Sequence, residues 1–255
     1  QSSPEIISTI LKAADAAGIE SAWIVDHIAI PPDDSEGSDG RYLDPLTTLG
    51  WMAAQTHQIM IGTSVLVLPY RPKLPTAKSL ATIQELSGGR LLLGVGIGWM
   101  EPEFKALGIA KKKRREISDE TLGFFNQCFS NDEITSNGQK FLFRPRPLRP
   151  PIYIGGRAPH AIERALKFGD GWLPMGSLAK LAPDIDRFKS VAAEQGHPGE
   201  VVTFATLNDD EPGSREIIET YRQAGITRII VGKPYSKAEE WLPTIDMIAR
   251  LSEFV

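Results

Sequence analysis

Short apolar segments alternate with amphipathic ones from one end of the chain to the other, and no other feature constrains the fold as tightly. Strand candidates fall at 21–25, 59–68, 91–95, 151–154, 172–174, 201–207 and 228–231. Helical periodicity marks 45–56, 75–86, 118–129, 159–168, 178–195, 214–224 and 238–252. A first helix opens on Ser3-Pro4, places Ile6, Ile7, Ile10, Leu11 and Ala14 on one face, and stops at Gly18. Strands that are apolar throughout are buried on both faces, which requires a parallel sheet covered by helices. At 255 residues the chain has the size of one (β/α)8 TIM barrel and is large for any other single α/β domain. One domain spanning 1–255 is therefore expected. Seven strands are found and the chain starts in a helix, so the first strand of the barrel is expected to precede Gln1. A seven-stranded doubly wound sheet competes, but the strands show no obvious switch point and no dinucleotide fingerprint. Residues 130–150 are rich in turn formers and proline, and predict a small insertion with a hairpin at Asn137-Gly138.

Composition removes several function classes. A net charge of −4 gives no reason to expect a nucleic-acid partner, and the one basic run, Lys111 to Arg115, reads as a solvated loop. No apolar run approaches the roughly 18 residues of a membrane span, and no signal-peptide pattern opens the chain. The single Cys128 sits in an apolar helix and reads as a core residue of a protein in a reducing, cytoplasmic compartment. His57, His160 and His197 have no metal-ligand spacing and read as structural or surface residues, and no metal is expected.

In a (β/α)8 barrel the chemistry sits at the C-terminal ends of the strands. Asp26-His27 follows the first visible strand and offers either an acid/base pair or a hydrogen-bonded rim histidine. Pro69-Tyr70-Arg71-Pro72 follows the second. Gly94-Val95-Gly96-Ile97-Gly98-Trp99 resembles a dinucleotide loop only superficially, because Trp99 stands where the third glycine is needed. Its glycines let the strand bend, or let a flat ring approach the backbone. Gly155-Gly156-Arg157 before a helix is a phosphate-site candidate, since the helix N-terminus offers free N–H groups and Arg157 a charge; a plain strand-to-helix turn is the alternative.

The run GTSVLVLPYRPKLPTAKSLATIQELSGGRLLLGVGIGWMEPEFKALG resembles the central segment of the luciferase-like monooxygenase family, in particular its actinobacterial coenzyme F420-dependent oxidoreductases. SAWIVDH, PPIYIGGRAPHAIERALKFGDGWLP and AGITRIIV are similar to the same family, so the likeness covers nearly the whole chain. The resemblance implies a TIM barrel whose mouth holds coenzyme F420, or alternatively FMN. Thr63, Ser64 and Val65 would lie on a bulge with a non-prolyl cis peptide behind the ring. Asp26 and His27 would stand at the ring and substrate edge, Gly98 would make a backbone contact, and Gly155, Gly156 and Arg157 would hold the phosphate tail. Trp99 and Tyr70 would wall the substrate pocket. Sugar-phosphate dehydrogenases of the family carry a glutamate where this chain has Trp99, which argues against that activity; Glu101 and Glu103 are near but do not match that position. The expected chemistry is hydride transfer between F420 and a small organic substrate, with an FMN-dependent monooxygenase and a cofactor-binding barrel without turnover as alternatives. His27 would exchange the substrate proton and Asp26 would orient it or bond the ring. A homodimer is also implied.

Overall fold

The computed structural model describes residues 3–34 and 38–252. In chain order the elements are α1 (Pro4–Ala16), β1 (Ser21–Ile24), α2 (Pro45–Gln55), β2 (Met60–Val67), α3 (Lys73–Leu86), β3 (Leu91–Gly96), α4 (Glu101–Ala106), α5 (Arg114–Ser130), β4 (Glu133–Ser136), β5 (Gln139–Leu142), β6 (Ile152–Gly155), α6 (His160–Phe168), β7 (Gly171–Leu173), α7 (Leu178–Glu194), β8 (Glu200–Ala205), α8 (Glu211–Gln223), β9 (Arg228–Val231) and α9 (Leu242–Ser252). Every strand expected from the apolar runs is present, and β4 and β5 are the anticipated hairpin.

The chain divides into two compact units. One comprises Gln1–Trp23, Gln55–Met60 and Ile152–Val255; the other comprises Ile24–Ala54 and Ile61–Pro151. In the first unit β6, β7, β8 and β9 pair in parallel, each with the next. Trp172 of β7 and Phe188 of α7, both almost wholly buried, meet edge to face at 6.1 Å. The carboxylate of Asp15 accepts from the backbone N–H groups of His57, Gln58 and Ile59, and so ties α1 to the start of β2. Burial raises that carboxyl's pKa, but the three N–H donors outweigh it and leave Asp15 below the usual range. Ser3 caps α1 by accepting from the Ile6 N–H, an interaction worth about 1 kcal/mol.

In the second unit β2 runs parallel to β3, whose six residues are all buried. Their register slips between Thr63 and Leu66: Ser64 and Val65 together stand opposite Gly94, and the Ser64–Val65 peptide is cis. This is the bulge that the resemblance implied. The hairpin turns at Asn137 (φ 49°) and Gly138 (φ 76°), the pair of left-handed residues that a two-residue loop requires. Cys128 is fully buried, and its thiol is pushed up to about 11 by desolvation.

Helix α9 starts at Leu242 rather than at 238, after a short 3-10 turn over Ala238–Glu240, and three further helices differ from the periodicity. Helix α4 was not expected, because Pro102 and six residues of length hide its pattern. Helix α5 starts at Arg114, so the basic run is a short 3-10 turn leading into a helix rather than a loop; it remains largely exposed. Helix α8 starts at Glu211, where Asp210 caps by accepting from the Gly213 N–H; a glycine in the first turn masks that start. Among the described residues no helix is long and apolar enough to cross a membrane, and no three His, Cys, Asp or Glu side chains gather as a metal site.

Candidate active site

Strand β1 ends at Ile24, and the next residues alternate outward and inward. Val25 is exposed, Asp26 is 3% exposed and His27 is half-buried. Both oxygens of Asp26 are taken: Arg71 binds it with two nitrogens, at 2.6 and 3.0 Å, and the Val67 N–H donates at 2.9 Å. Arg71 also reaches Asp44 at 2.8 Å. Desolvation works against the charged guanidinium, yet Asp26 and Asp44 hold its pKa above the ordinary value. The expectation that Asp26 orients His27 is therefore corrected. A fully desolvated carboxylate turns to the strongest donors in reach, and these are Arg71 and the backbone just past the bulge.

His27 is oriented by Glu103 instead. Its Nδ1 lies 3.1 Å from the carboxylate, which is 1% exposed. The same carboxylate accepts from the N–H groups of Ile28 (2.6 Å) and Ala29 (3.1 Å) and from the Tyr70 hydroxyl (2.8 Å). Burial raises the carboxyl's pKa, but the Ala29 and Ile28 donors, then Tyr70 and His27, bring it below the usual range, so Glu103 is ionised at neutral pH. An ionised carboxylate only accepts, so the neutral imidazole carries its hydrogen on Nδ1 and leaves the Nε2 lone pair free. Tyr42 packs on the imidazole at 4.7 Å, and Trp99 meets it edge-on at 6.4 Å with 69% of its surface exposed.

The remaining expected residues separate. Ser64 and Val65 are half-buried on the bulge, whereas the Thr63 side chain is fully buried and donates to the Gly94 carbonyl. Tyr70 does not wall an open pocket: it is buried edge-on against Phe104 at 5.2 Å, with its hydroxyl spent on Glu103. The glycines at the end of β3 also make room for neighbouring side chains. A Cβ on Gly96 would stand 2.6 Å from Val65, and one on Gly98 (φ +76°) would stand 2.8 Å from Val67 and 2.9 Å from Phe104. The space they leave is filled by the protein's own side chains. In the first unit Gly155-Gly156-Arg157 joins β6 to the turn before α6; Gly156 and Arg157 are exposed, and the Gly156 carbonyl accepts from the Trp172 indole N–H. His197 is structural, its Nε2 donating to the Gly169 carbonyl at 2.9 Å.

Sequence reasoning missed Glu103, Arg71 and Tyr42. A signal for the first existed: Glu103 precedes Phe104 on what would be the buried side of a short helix. Without α4 recognised, that side had no meaning.

Comparison with known proteins identifies the family. A model of the family described as luciferase-like monooxygenase matches residues 2–208. An uncharacterised protein of Mycobacterium tuberculosis is 28% identical over 96% of this chain and 91% of its own length. An F420-dependent glucose-6-phosphate dehydrogenase of Kineococcus radiotolerans is 30% identical over 68% of this chain and 53% of its own. The crystal structure of the monooxygenase RslO1 from Streptomyces bottropensis superposes with a TM-score of 0.84 at 18% identity, covering 98% of this chain and 94% of that one. The structural likeness shows the TIM-barrel-type α/β fold that the alternation of strands and helices predicts. With four-fifths of the chain matched by one family model, the chain belongs to the luciferase-like monooxygenase family of oxidoreductases.

Proposed function

We propose that the chain transfers a hydride between coenzyme F420 and a small organic substrate, with His27 exchanging the accompanying proton. The His27–Glu103 pair carries this reading, because it fixes which nitrogen faces outward. With Nδ1 committed to the carboxylate, Nε2 is the atom that accepts or returns a proton, and the ionised Glu103 stabilises the imidazolium formed in between. Glu103 would act through His27, and Asp26 would act through Arg71 and Val67 by holding the backbone beyond the bulge.

Residues suited to a flat ring and residues suited to an anionic group are both present, one set in each unit. The half-buried bulge at Ser64 and Val65 suits the ring, and Gly98 lies on the adjoining strand's exit. In the first unit Gly155, Gly156 and Arg157 suit the tail: the Arg157 guanidinium is exposed and has no polar partner among the described residues. When bound, the deazaflavin supplies or takes up the hydride; the protein's residues bind, orient and manage the proton. The F420-dependent dehydrogenase relative supports this cofactor. FMN-dependent monooxygenation is a second reading, favoured by the family's own description.

Titrating the purified protein with F420 and with FMN, under air and without it, separates the two. Micromolar or tighter F420 binding with weaker FMN binding is expected; tighter FMN binding with oxygen consumption reverses the assignment. Arg157→Ala should weaken the bound cofactor by about 1.5–3 kcal/mol through loss of a charge-assisted bond. Unchanged affinity would return Gly155-Gly156-Arg157 to a plain turn. A homodimer belongs to the same proposal, and sedimentation equilibrium tests it.

A further inference from the structure

A hydrogen bond at one nitrogen fixes one point of an imidazole and leaves its tilt free, so Glu103 alone does not set the direction of the His27 ring. Tyr42 restrains the face of that ring, with the two centroids 4.7 Å apart. The tie that keeps Tyr42 in place runs through one guanidinium.

Arg71 directly follows Tyr70, whose hydroxyl donates to Glu103. Its two terminal nitrogens grip Asp26, the neighbour of His27, at 2.6 and 3.0 Å, and one of them also donates to Asp44 at 2.8 Å. Asp44 stands two residues after Tyr42 and immediately before Pro45, the first residue of α2. One cation therefore ties the residue beside the imidazole to the stretch that carries the ring packed on it. The two legs of this bridge differ. The Asp26 side chain is wholly buried and bound through both oxygens, whereas Asp44 is 47% exposed and bound through one. Burial raises the Asp44 carboxyl's pKa, but Arg71 and the Thr47 N–H bring it below the usual range, so the second leg is an ion pair at neutral pH. The other Asp44 oxygen accepts from that N–H at 2.9 Å and caps α2. The two oxygens of Asp44 thus do two separable jobs.

We propose that Arg71 is a positioning residue for His27: by bridging Asp26 and Asp44 it keeps Tyr42 on the imidazole face, and so fixes the direction of Nε2. This deepens the assignment of His27 as the proton-exchanging group and rests on it. Proton exchange needs a short, directed contact, and a ring held at one edge by Glu103 and on one face by Tyr42 presents Nε2 in one direction. Tyr70 and Arg71, neighbours just past β2, serve the two restraints, one through Glu103 and the other through Asp44.

The test needs no substrate. Proton–carbon NMR spectra of protein labelled in its four histidines report the surroundings of each ring. The His27 signal is the one lost in His27→Gln, and Tyr42→Leu gives its position once the tyrosine's ring current is removed. Asp44→Ser keeps an oxygen to cap α2 but none that reaches Arg71, and should move the His27 signal at least halfway to the Tyr42→Leu position. Asp44→Glu keeps the charge for Arg71 and spoils the cap, and should leave the signal near the parent's. Arg71→Lys, whose single ammonium stays on the buried Asp26 and releases Asp44, should repeat the Asp44→Ser shift. Melting curves show which variants are folded. An unmoved signal in folded Asp44→Ser or Arg71→Lys would overturn the proposal. So would equal shifts in Asp44→Ser and Asp44→Glu, which would make the helix cap responsible. The two proposals fail separately. An unmoved His27 signal sinks the bridge's positioning role whatever the enzyme does. A folded His27→Ala with undiminished turnover sinks the proton assignment and leaves the bridge a structural tie.

Discussion

Two polar networks in this chain use nearly the same parts and end differently. In the first unit Arg228, the opening residue of β9, donates to Glu20 at 2.6 Å and to the Tyr153 hydroxyl at 2.7 Å, and approaches Glu200 at 3.5 Å. Tyr153 in turn donates to Glu200 at 2.8 Å. Every guanidinium nitrogen has an acceptor within the network, and its members open strands or precede them. In the second unit Glu103 gathers four donors just past the C-terminal ends of β1 and β3, but one of those donors is an imidazole with a second nitrogen to spare. A network closed on itself stabilises; one that leaves a titratable nitrogen without a partner beyond the C-terminal ends of the strands has a valence to spare for chemistry. The contrast lies in the unspent valence of one residue, and in burial: Glu103 is 1% exposed, whereas Glu20 is 58% exposed.

The sharpest way to break this contrast is His27→Ala. If the second network is catalytic, turnover should fall roughly 100-fold or more while cofactor affinity and melting temperature stay close to the parent's. A lowered melting temperature with unchanged turnover per folded molecule would make both networks structural. Arg228→Met tests the other side. It should cost about 1–3 kcal/mol in urea unfolding, because Tyr153 and Glu200 lose a charged partner, and leave turnover per folded molecule unchanged. A large kinetic effect from Arg228 would erase the distinction. Glu103→Gln should act more gently: about tenfold in turnover, since the amide still accepts from Ile28 and Ala29 but donates to His27. Nitrogen-15 spectra of the neutral ring should then shift from the Nδ1–H to the Nε2–H tautomer, a change that loss of packing alone would not produce.

The same variant has a pH signature. The Glu103 carboxyl is held below its ordinary 4.5 in the folded protein, so its contribution to stability is complete above that value and is lost as pH falls through the lowered one. The stability gap between the parent and Glu103→Gln should therefore be full at neutral pH and close on acidification. A gap independent of pH would mean that the carboxylate's charge contributes nothing.

The parts of this molecule that follow from short-range chemistry were readable without a structure. Runs such as Leu91 to Val95 are apolar at every position, and only a strand covered on both faces buries them. Asn137-Gly138 turns the hairpin because those residue types tolerate left-handed backbone, and Ser3-Pro4 starts α1 because one accepts from the free N–H of Ile6 while the other needs no acceptor of its own. The bulge at Ser64-Val65 was legible only through family resemblance, since no local propensity asks for it. Partner choice was a different matter. His27 and Glu103 lie 76 residues apart and Asp26 and Arg71 lie 45 apart, and each acid had other bases in reach of a guess. Alternation along β1 separates Asp26 from His27 by face but does not say what stands opposite either. Gly96 and Gly98 likewise mark a close approach, and only packing reveals that Val65, Val67 and Phe104 make it. Periodicity follows from the covalent chain; which buried charge meets which donor depends on elements brought together from distant stretches of it, and tertiary structure alone settles that choice.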